Sequence, residues 1–329
     1  MAPITQYGAF TQQVANQVNQ AIGSAGLGFA NGNIIMLDPF NGADSNDGIT
    51  APVATLQRAY NIGREGMNDV IALISNGLTT SSARVGGTFT WAKDALHMVG
   101  VCSASRFSPR ARVATNATDT AFTPFFVVSG AGCYFQNIEW FHGYNTGTTA
   151  QICMKITGER NTFVNCQISG MGDTTSAGDT GSRSLLIVGA GENFFSHCVI
   201  GLDTISRGVL NASVEFQTGC ARTVFEDCLF PVLASTAAAG LIVLTAAASA
   251  IDRATYFRQC TISNASTFSG GAAGTGAIKL AASAGGIIVL QGTQEYGFTD
   301  WGYDATSKAQ IVLETAGTTS GSGIMIVNT

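Results

Sequence analysis

The sequence predicts an all-β chain wound into a parallel β-helix. Three observations predict it: a glycine-rich, charge-poor composition, a motif that returns about every thirty residues, and a break in strand alternation inside that motif. The chain has 329 residues, 40 of them glycine; 46% are hydrophobic and only 11% charged. So much apolar surface argues against disorder, and glycines without a three-residue period exclude collagen. With 16 Lys and Arg against 21 Asp and Glu there is no basic excess for nucleic acid. No apolar run is long enough to span a membrane. The composition suits a tightly turned, uncharged assembly protein.

The motif is the strongest signal. Phe163-Val-Asn-Cys166-Gln-Ile168 recurs as Phe195-Ser-His-Cys198-Val-Ile200, Phe225-Glu-Asp-Cys228-Leu-Phe230 and Phe257-Arg-Gln-Cys260-Thr-Ile262. An earlier copy, Phe135-Gln-Asn-Ile138-Glu-Trp140, has Ile in the Cys place. The phenylalanines are 28, 32, 30 and 32 residues apart, the period of a solenoid. Phe and Cys lie three apart, which on a straight strand would put them on opposite faces. Both point inward only if the chain bends between them, at Asn137, Asn165, His197, Asp227 and Gln259. Asn, Asp and His are the types that best tolerate a left-handed backbone at such a bend.

Between motifs, Ile152 to Ile156, Leu185 to Val188, Val214 to Phe216 and Leu241 to Leu244 supply further short strands. Each coil then carries two or three strands, and equivalent residues stack about 4.8 Å apart. Val70 to Val327 at roughly thirty residues per coil gives about eight or nine coils. Cys166, Cys198, Cys228 and Cys260 become an internal ladder of reduced, buried thiols. The chain has no CxxC, and His97, His142 and His197 lie far from any paired thiol, so no metal site is expected.

Three regions follow. Residues 1–33 form an uncharged arm, since the first charge is Asp38, and Phe10, Val14, Val18 and Ile22 make a helical stripe at four-residue spacing. That helix either lies on its own domain or docks on another subunit through the Gly23 to Gly32 tether. Residues 34–76 are the entry and cap, with a helix begun by Thr55 or a neighbour. Residues 77–329 are the coils with a C-terminal cap. The opening Met-Ala-Pro-Ile-Thr has neither a basic n-region nor an apolar h-region, so synthesis in a cytoplasm without a secretory signal is expected.

Asp38, Gly42, Asp44 and Gly48 fit a D-x-x-x-G-x-D-x-x-x-G loop ahead of a helix. With the Phe-x-Asn-Cys repeats, this resembles right-handed β-helix domains of the pectate-lyase-like superfamily over about 34–262. The resemblance implies a single-stranded right-handed parallel β-helix with a short N-terminal arm and a capping helix. It does not choose among pectin lyases, glycosidases, tailspikes and catalytically silent virion proteins. The stretch Leu96-His-Met-Val-Gly100-Val with Arg110-Ala-Arg112 is similar to segments of β-helix proteins of tailed bacteriophages.

The chemistry-bearing residues are sparse. Coil acids are Asp173, Asp179, Glu192, Asp203, Glu215, Glu226, Asp227 and Asp252, with no Asp-Asp pair of the kind a glycosidase or lyase would use. Asp44-x-Asn46-x-Gly48 echoes a calcium loop, but the twelfth position is Thr55, so a structural turn is expected. Arg160, Arg222 and Arg253 precede successive motifs and read as an external ladder on carboxylates, or as a basic groove. Phe298 to Asp304 reads as a packed cap or a sugar-holding segment. Arg106, Arg110 and Arg112 form a basic spot that is either a solvated loop or a contact for an acidic protein surface.

The expectation is therefore a non-enzymatic structural protein of a phage virion, surface-displayed and homotrimeric, decorating the capsid. It has no catalytic, cofactor or metal residues. Its partner-binding residues are Phe10, Val14, Val18, Ile22, Arg106, Arg110 and Arg112, meeting a capsid or other virion protein. The alternatives are a tailspike or polysaccharide lyase or hydrolase, and a fibre that holds a surface glycan without cutting it.

Overall fold

A computed structural model of the protein describes residues 32–115, 123–143, 150–245, 247–281, 286–314 and 324–326. Short strands separated by bends stack into three walls of 12, 9 and 7 strands. Pairing is parallel except at the C-terminal edge of the first wall, where Ile324–Ile326 runs antiparallel to Ile311–Glu314. The 7 strands of the third wall define seven complete coils, from Val70–Ile74 with Ala83–Val85 and Phe89–Trp91 onward. An eighth coil has Gly286–Gln291 and Gln294–Tyr296, and on the third side it meets the seventh through the Gly274–Phe298 and Ile278–Gly302 bridges and their hydrogen bonds without a strand of its own among the described residues. The count is close to the expected eight or nine, with seven complete coils and a partial eighth, since the last described strands, Ile311–Glu314 and Ile324–Ile326, extend the first wall alone.

The repeat does what its parity requires. Phe135, Phe163, Phe195, Phe225 and Phe257 are in register and fully buried. Their rings stack at 4.9, 4.7, 4.8 and 4.8 Å, tilted by 23° or less. Strand spacing imposes this near-parallel stack, and edge-on rings such as Trp140 and Phe230 pack beside it. Each buried ring contributes roughly 2 kcal/mol or more.

The bend falls where the alternation breaks. Asn137, Asn165, His197, Asp227 and Gln259 all have left-handed φ, between 48° and 58°. Past it the cysteines turn inward, free and buried. Each thiol donates to the carbonyl of the phenylalanine one coil earlier: Cys166 to Phe135 at 3.5 Å, and Cys198, Cys228 and Cys260 to Phe163, Phe195 and Phe225 at 3.4 Å. Cysteine thus fills a small interior volume and also binds a carbonyl at the bend. Burial holds the Cys198 and Cys228 thiols well above their ordinary range.

Two further columns accompany this bend, of which only Arg160 and Arg222 stand out in the sequence. Ala95, Gly132, Arg160, Glu192 and Arg222 form a second left-handed corner, three residues before the inward core position. Inside it, Asn161 and Asn193 are fully buried. Asn161 Nδ2 donates to the Gly130 carbonyl at 3.0 Å, and Asn193 Oδ1 accepts from the Asn161 amide at 2.9 Å.

At the N-terminal end, helix α1 (Leu56–Ile62) covers the solenoid with Leu56 and Ala59. Thr55 is its N-cap, accepting from the Arg58 amide at 3.2 Å. Asp44 in turn accepts from the Thr55 amide at 2.9 Å and from its hydroxyl at 2.7 Å, which ties the entry loop to the helix. The arm residues 1–31 lie outside the described residues.

Phe195 sits mid-column with rings on both sides. Phe195→Ala is therefore expected to cost about 3–5 kcal/mol in urea or guanidinium unfolding, whereas a loss below about 1 kcal/mol would mean the ring does not hold its coil.

Candidate functional site

Of the seven residues expected to bind a partner, Phe10, Val14, Val18 and Ile22 lie outside the described residues. The other three belong to the loop between His97–Val101 and Arg112–Thr115. This loop lies lengthwise over later coils. The Ser108 amide donates to Gln167 Oε1 at 2.5 Å, and Arg106 Nη2 donates to the Asp227 carbonyl. Arg112 grips buried Glu139 at 2.7 and 2.6 Å and lies 5.3 Å from the Phe141 ring. Ser169 adds a hydroxyl to Glu139 at 3.1 Å, yet burial still pushes this carboxyl up. Arg106 and Arg112 hold the loop in place, while Arg110 and Phe107 are exposed. These links span 59 and 121 residues of sequence, so no local pattern could have shown them.

The residues that carry the phage-like segment have structural duties. Leu96 and Met98 are in the core. His97 Nδ1 accepts from the Tyr134 amide at 3.0 Å, which leaves the ring proton on Nε2, 3.2 Å from Asn68 Oδ1. Burial lowers the His97 ring to about 4, so it is neutral. Gly100 is needed because a Cβ there would meet the Asn137 carbonyl oxygen at 2.0 Å.

Under the loop runs a groove of about 330 Å3, lined among others by Val99, Gln136, Asn137, Val164, Asn165 and His197. It is the outer face of the first wall beside the bend. Ser196 Oγ lies 2.8 Å from His197 Nδ1, and His197 Nε2 lies 3.7 Å from Asp227 Oδ2. The sequence placed His197 and Asp227 in one column but not Ser196 with them. The carboxylate is beyond hydrogen-bond range and the imidazole side chain is 57% exposed, so it is not held as a general base needs to be. The strip offers amides, a hydroxyl and an imidazole to a hydroxyl-rich ligand.

Most other acids are committed to neighbours. Glu192 bridges Arg160 at 2.7 Å and Arg222, the expected arginine ladder, and Arg253 meets Asp252 at 3.8 Å. Glu215 pairs with Arg183 at 2.5 Å, both nearly fully buried. In the entry loop Asp44 Oδ1 accepts the Ala54 and Thr55 amides at 2.9 Å. The Thr50 amide and hydroxyl hold the Asp47 carboxyl down to about 2. These oxygens serve a structural turn. Near the C-terminus Phe298 and Trp301 pack against the core, and Asp304 caps helix α2 (Ala305–Lys308). A cavity of about 440 Å3 opens there beside Thr275, Asp300, Tyr303 and Lys308.

No family and no curated protein matches the sequence. The fold is shared with solved pectin methylesterases. The enzyme in complex with hexasaccharide VII aligns with TM-score 0.55 and 14% identity, over 82% of this chain and 80% of that one. PemA from Erwinia chrysanthemi aligns with TM-score 0.54 and 14% identity, over 82% and 80%. ORF18 of Geobacillus virus E2 aligns with TM-score 0.42 and 10% identity, over 85% of this chain and 60% of that one. At such identities the likeness to the methylesterases shows the fold alone.

The Arg112–Glu139 pair generates a test. Arg112→Met leaves a carboxylate buried without its cation and should cost about 3–5 kcal/mol in urea unfolding. Arg112→Met with Glu139→Leu should recover most of that loss; an equally unstable double variant would mean the pair is not what holds the loop.

Proposed function

We propose that the protein is a structural component of a tailed-bacteriophage particle, made in the host cytoplasm and displayed on the virion as a homotrimer that decorates or stabilises the capsid. The observation that carries this reading is the commitment of coil acids to coil-to-coil contacts, as in Arg112–Glu139, Arg160–Glu192–Arg222 and Arg183–Glu215. Carboxylates fixed in this way reinforce a scaffold and are poorly placed for proton transfer. The similarity of residues 96–112 to phage β-helix proteins supports the virion setting. The arm with Phe10, Val14, Val18 and Ile22 is the attachment element, and Arg110 with Phe107 is a second contact.

A second reading, a fibre that holds a surface glycan without cutting it, is favoured by one observation. The groove presents the Gln136 amide and the His197 imidazole along one outer face of the solenoid, while the Asn137 amide is used within the wall, donating to the Gly100 carbonyl and accepting from Asn165. Release of reducing ends from a bound polysaccharide would move this reading to a lyase or hydrolase.

Deleting residues 1–33 is expected to leave a β-helical circular-dichroism spectrum while abolishing trimers in light scattering, or binding to virions that lack the protein. Normal assembly and decoration by the truncated chain would overturn the attachment role. Retained virion binding that depends on added host polysaccharide would select the fibre.

A further inference from the structure

The inward column of the second wall is apolar through seven coils and then changes character. Trp140, Ile168, Ile200, Phe230 and Ile262 hold this place and are fully buried. The residue paired with Ile262 in the eighth coil is Glu295. Its Oε1 is buried and has no hydrogen-bond partner. A carboxyl in that position is tolerated as the neutral acid and costly as the anion. Burial, and after it the charge of Asp300, push it up to about 8.

The charged groups of the terminal coil are engaged elsewhere. Lys308 pairs with Asp300. Lys279 lies 4.8 Å from the Tyr303 ring, and Asp304 caps α2 through Ser307 at 2.8 and 2.7 Å. Glu314 accepts from Gln291, whose Oε1 accepts from Arg258 at 2.7 Å. Among the described residues no cation pairs with Glu295. Among the described residues this coil has no strand on its third side. It meets the seventh coil there through the Gly274–Phe298 and Ile278–Gly302 bridges and through hydrogen bonds such as Ile278 N to the Trp301 carbonyl at 2.9 Å and Tyr303 N to the Ile278 carbonyl at 2.8 Å, and the 440 Å3 cavity lies along that side.

We propose that Glu295 is a proton-operated latch: as the neutral acid it lets the terminal coil, residues 286–314, close the solenoid, and its ionisation releases that coil while the seven complete coils stay folded. Release would bare the strands Ile251–Arg258 and Thr261–Asn264 as edges able to pair with another chain. The nearly independent coils of a solenoid permit such local opening. The sign follows from proton binding. The closed coil holds the proton more tightly than the open one, so closure is fully favoured below the ordinary glutamate range and weakens as pH rises to about 8. One proton per opening gives roughly a hundredfold rise in the opening constant from pH 6 to pH 9.

Hydrogen exchange on the full chain from pH 6 to pH 9, corrected for the intrinsic pH dependence of exchange, tests this. In the wild type, peptides from 286–314 should lose protection by about that factor, and peptides from 160–230 should not change. Glu295→Leu, which restores the apolar column, and Glu295→Gln, which cannot ionise, should both hold the terminal coil at its pH 6 protection. Trp301 fluorescence gives a second readout, with a red shift that grows as pH rises from 6 in the wild type alone. A wild-type terminal coil indifferent to pH, or Glu295→Leu opening as steeply as the wild type, would overturn the latch.

Discussion

Parallel in-register pairing places each residue about 4.8 Å from its counterparts in the coils above and below, and the rest of the molecule is built to satisfy that spacing. A residue type is acceptable in a column only if it tolerates its own kind as a neighbour. Phenylalanine does, because stacked rings exclude water together, and cysteine does, because each thiol reaches a carbonyl of the coil before. Charges do not, so they alternate: Arg160, Glu192 and Arg222 succeed one another, as do Arg112 and Glu139. Low charge is thus a consequence of the architecture as much as of the surface it presents.

The same spacing explains what the sequence could reveal. Phe and the bend residue were legible because five coils repeat them, and Cys because four do, and repetition turns a tertiary contact into a pattern. The second corner was legible as an arginine ladder but not as a bend, since arginine and glutamate at left-handed φ break the usual preference and Glu192 interrupts Arg160 and Arg222. The loop carrying Arg106 and Ser108 occurs once, so its contacts to Asp227 and Gln167 had nothing to repeat. Glu295 was hidden for a related reason. The last coil has Leu290 in place of Phe and Thr293 in place of Cys, so the motif that would have numbered its columns is missing.

The two candidate surfaces follow from where repetition stops. The loop Cys102–Ala111 interrupts the regular wall and makes a groove under itself, and the eighth coil interrupts it again by failing to complete its third side. Between them Glu139, Glu192 and Glu215 are neutralised by arginines on adjacent coils, which favours a body that displays its ends and inserted loops. Shared architecture with pectin methylesterases therefore constrains the shape of the chain far more than its chemistry.

The uniform coil also makes the molecule a ruler. Residues can be added in loops without changing its length, because loops leave the strand stack at its corners, as the 37-residue step from His97 to Tyr134 shows. Length itself changes only by whole coils, in graduations of about 4.8 Å. A particle that needs a set distance between an attachment point and an exposed tip can obtain it by counting turns, with no redesign of the contacts within any one of them.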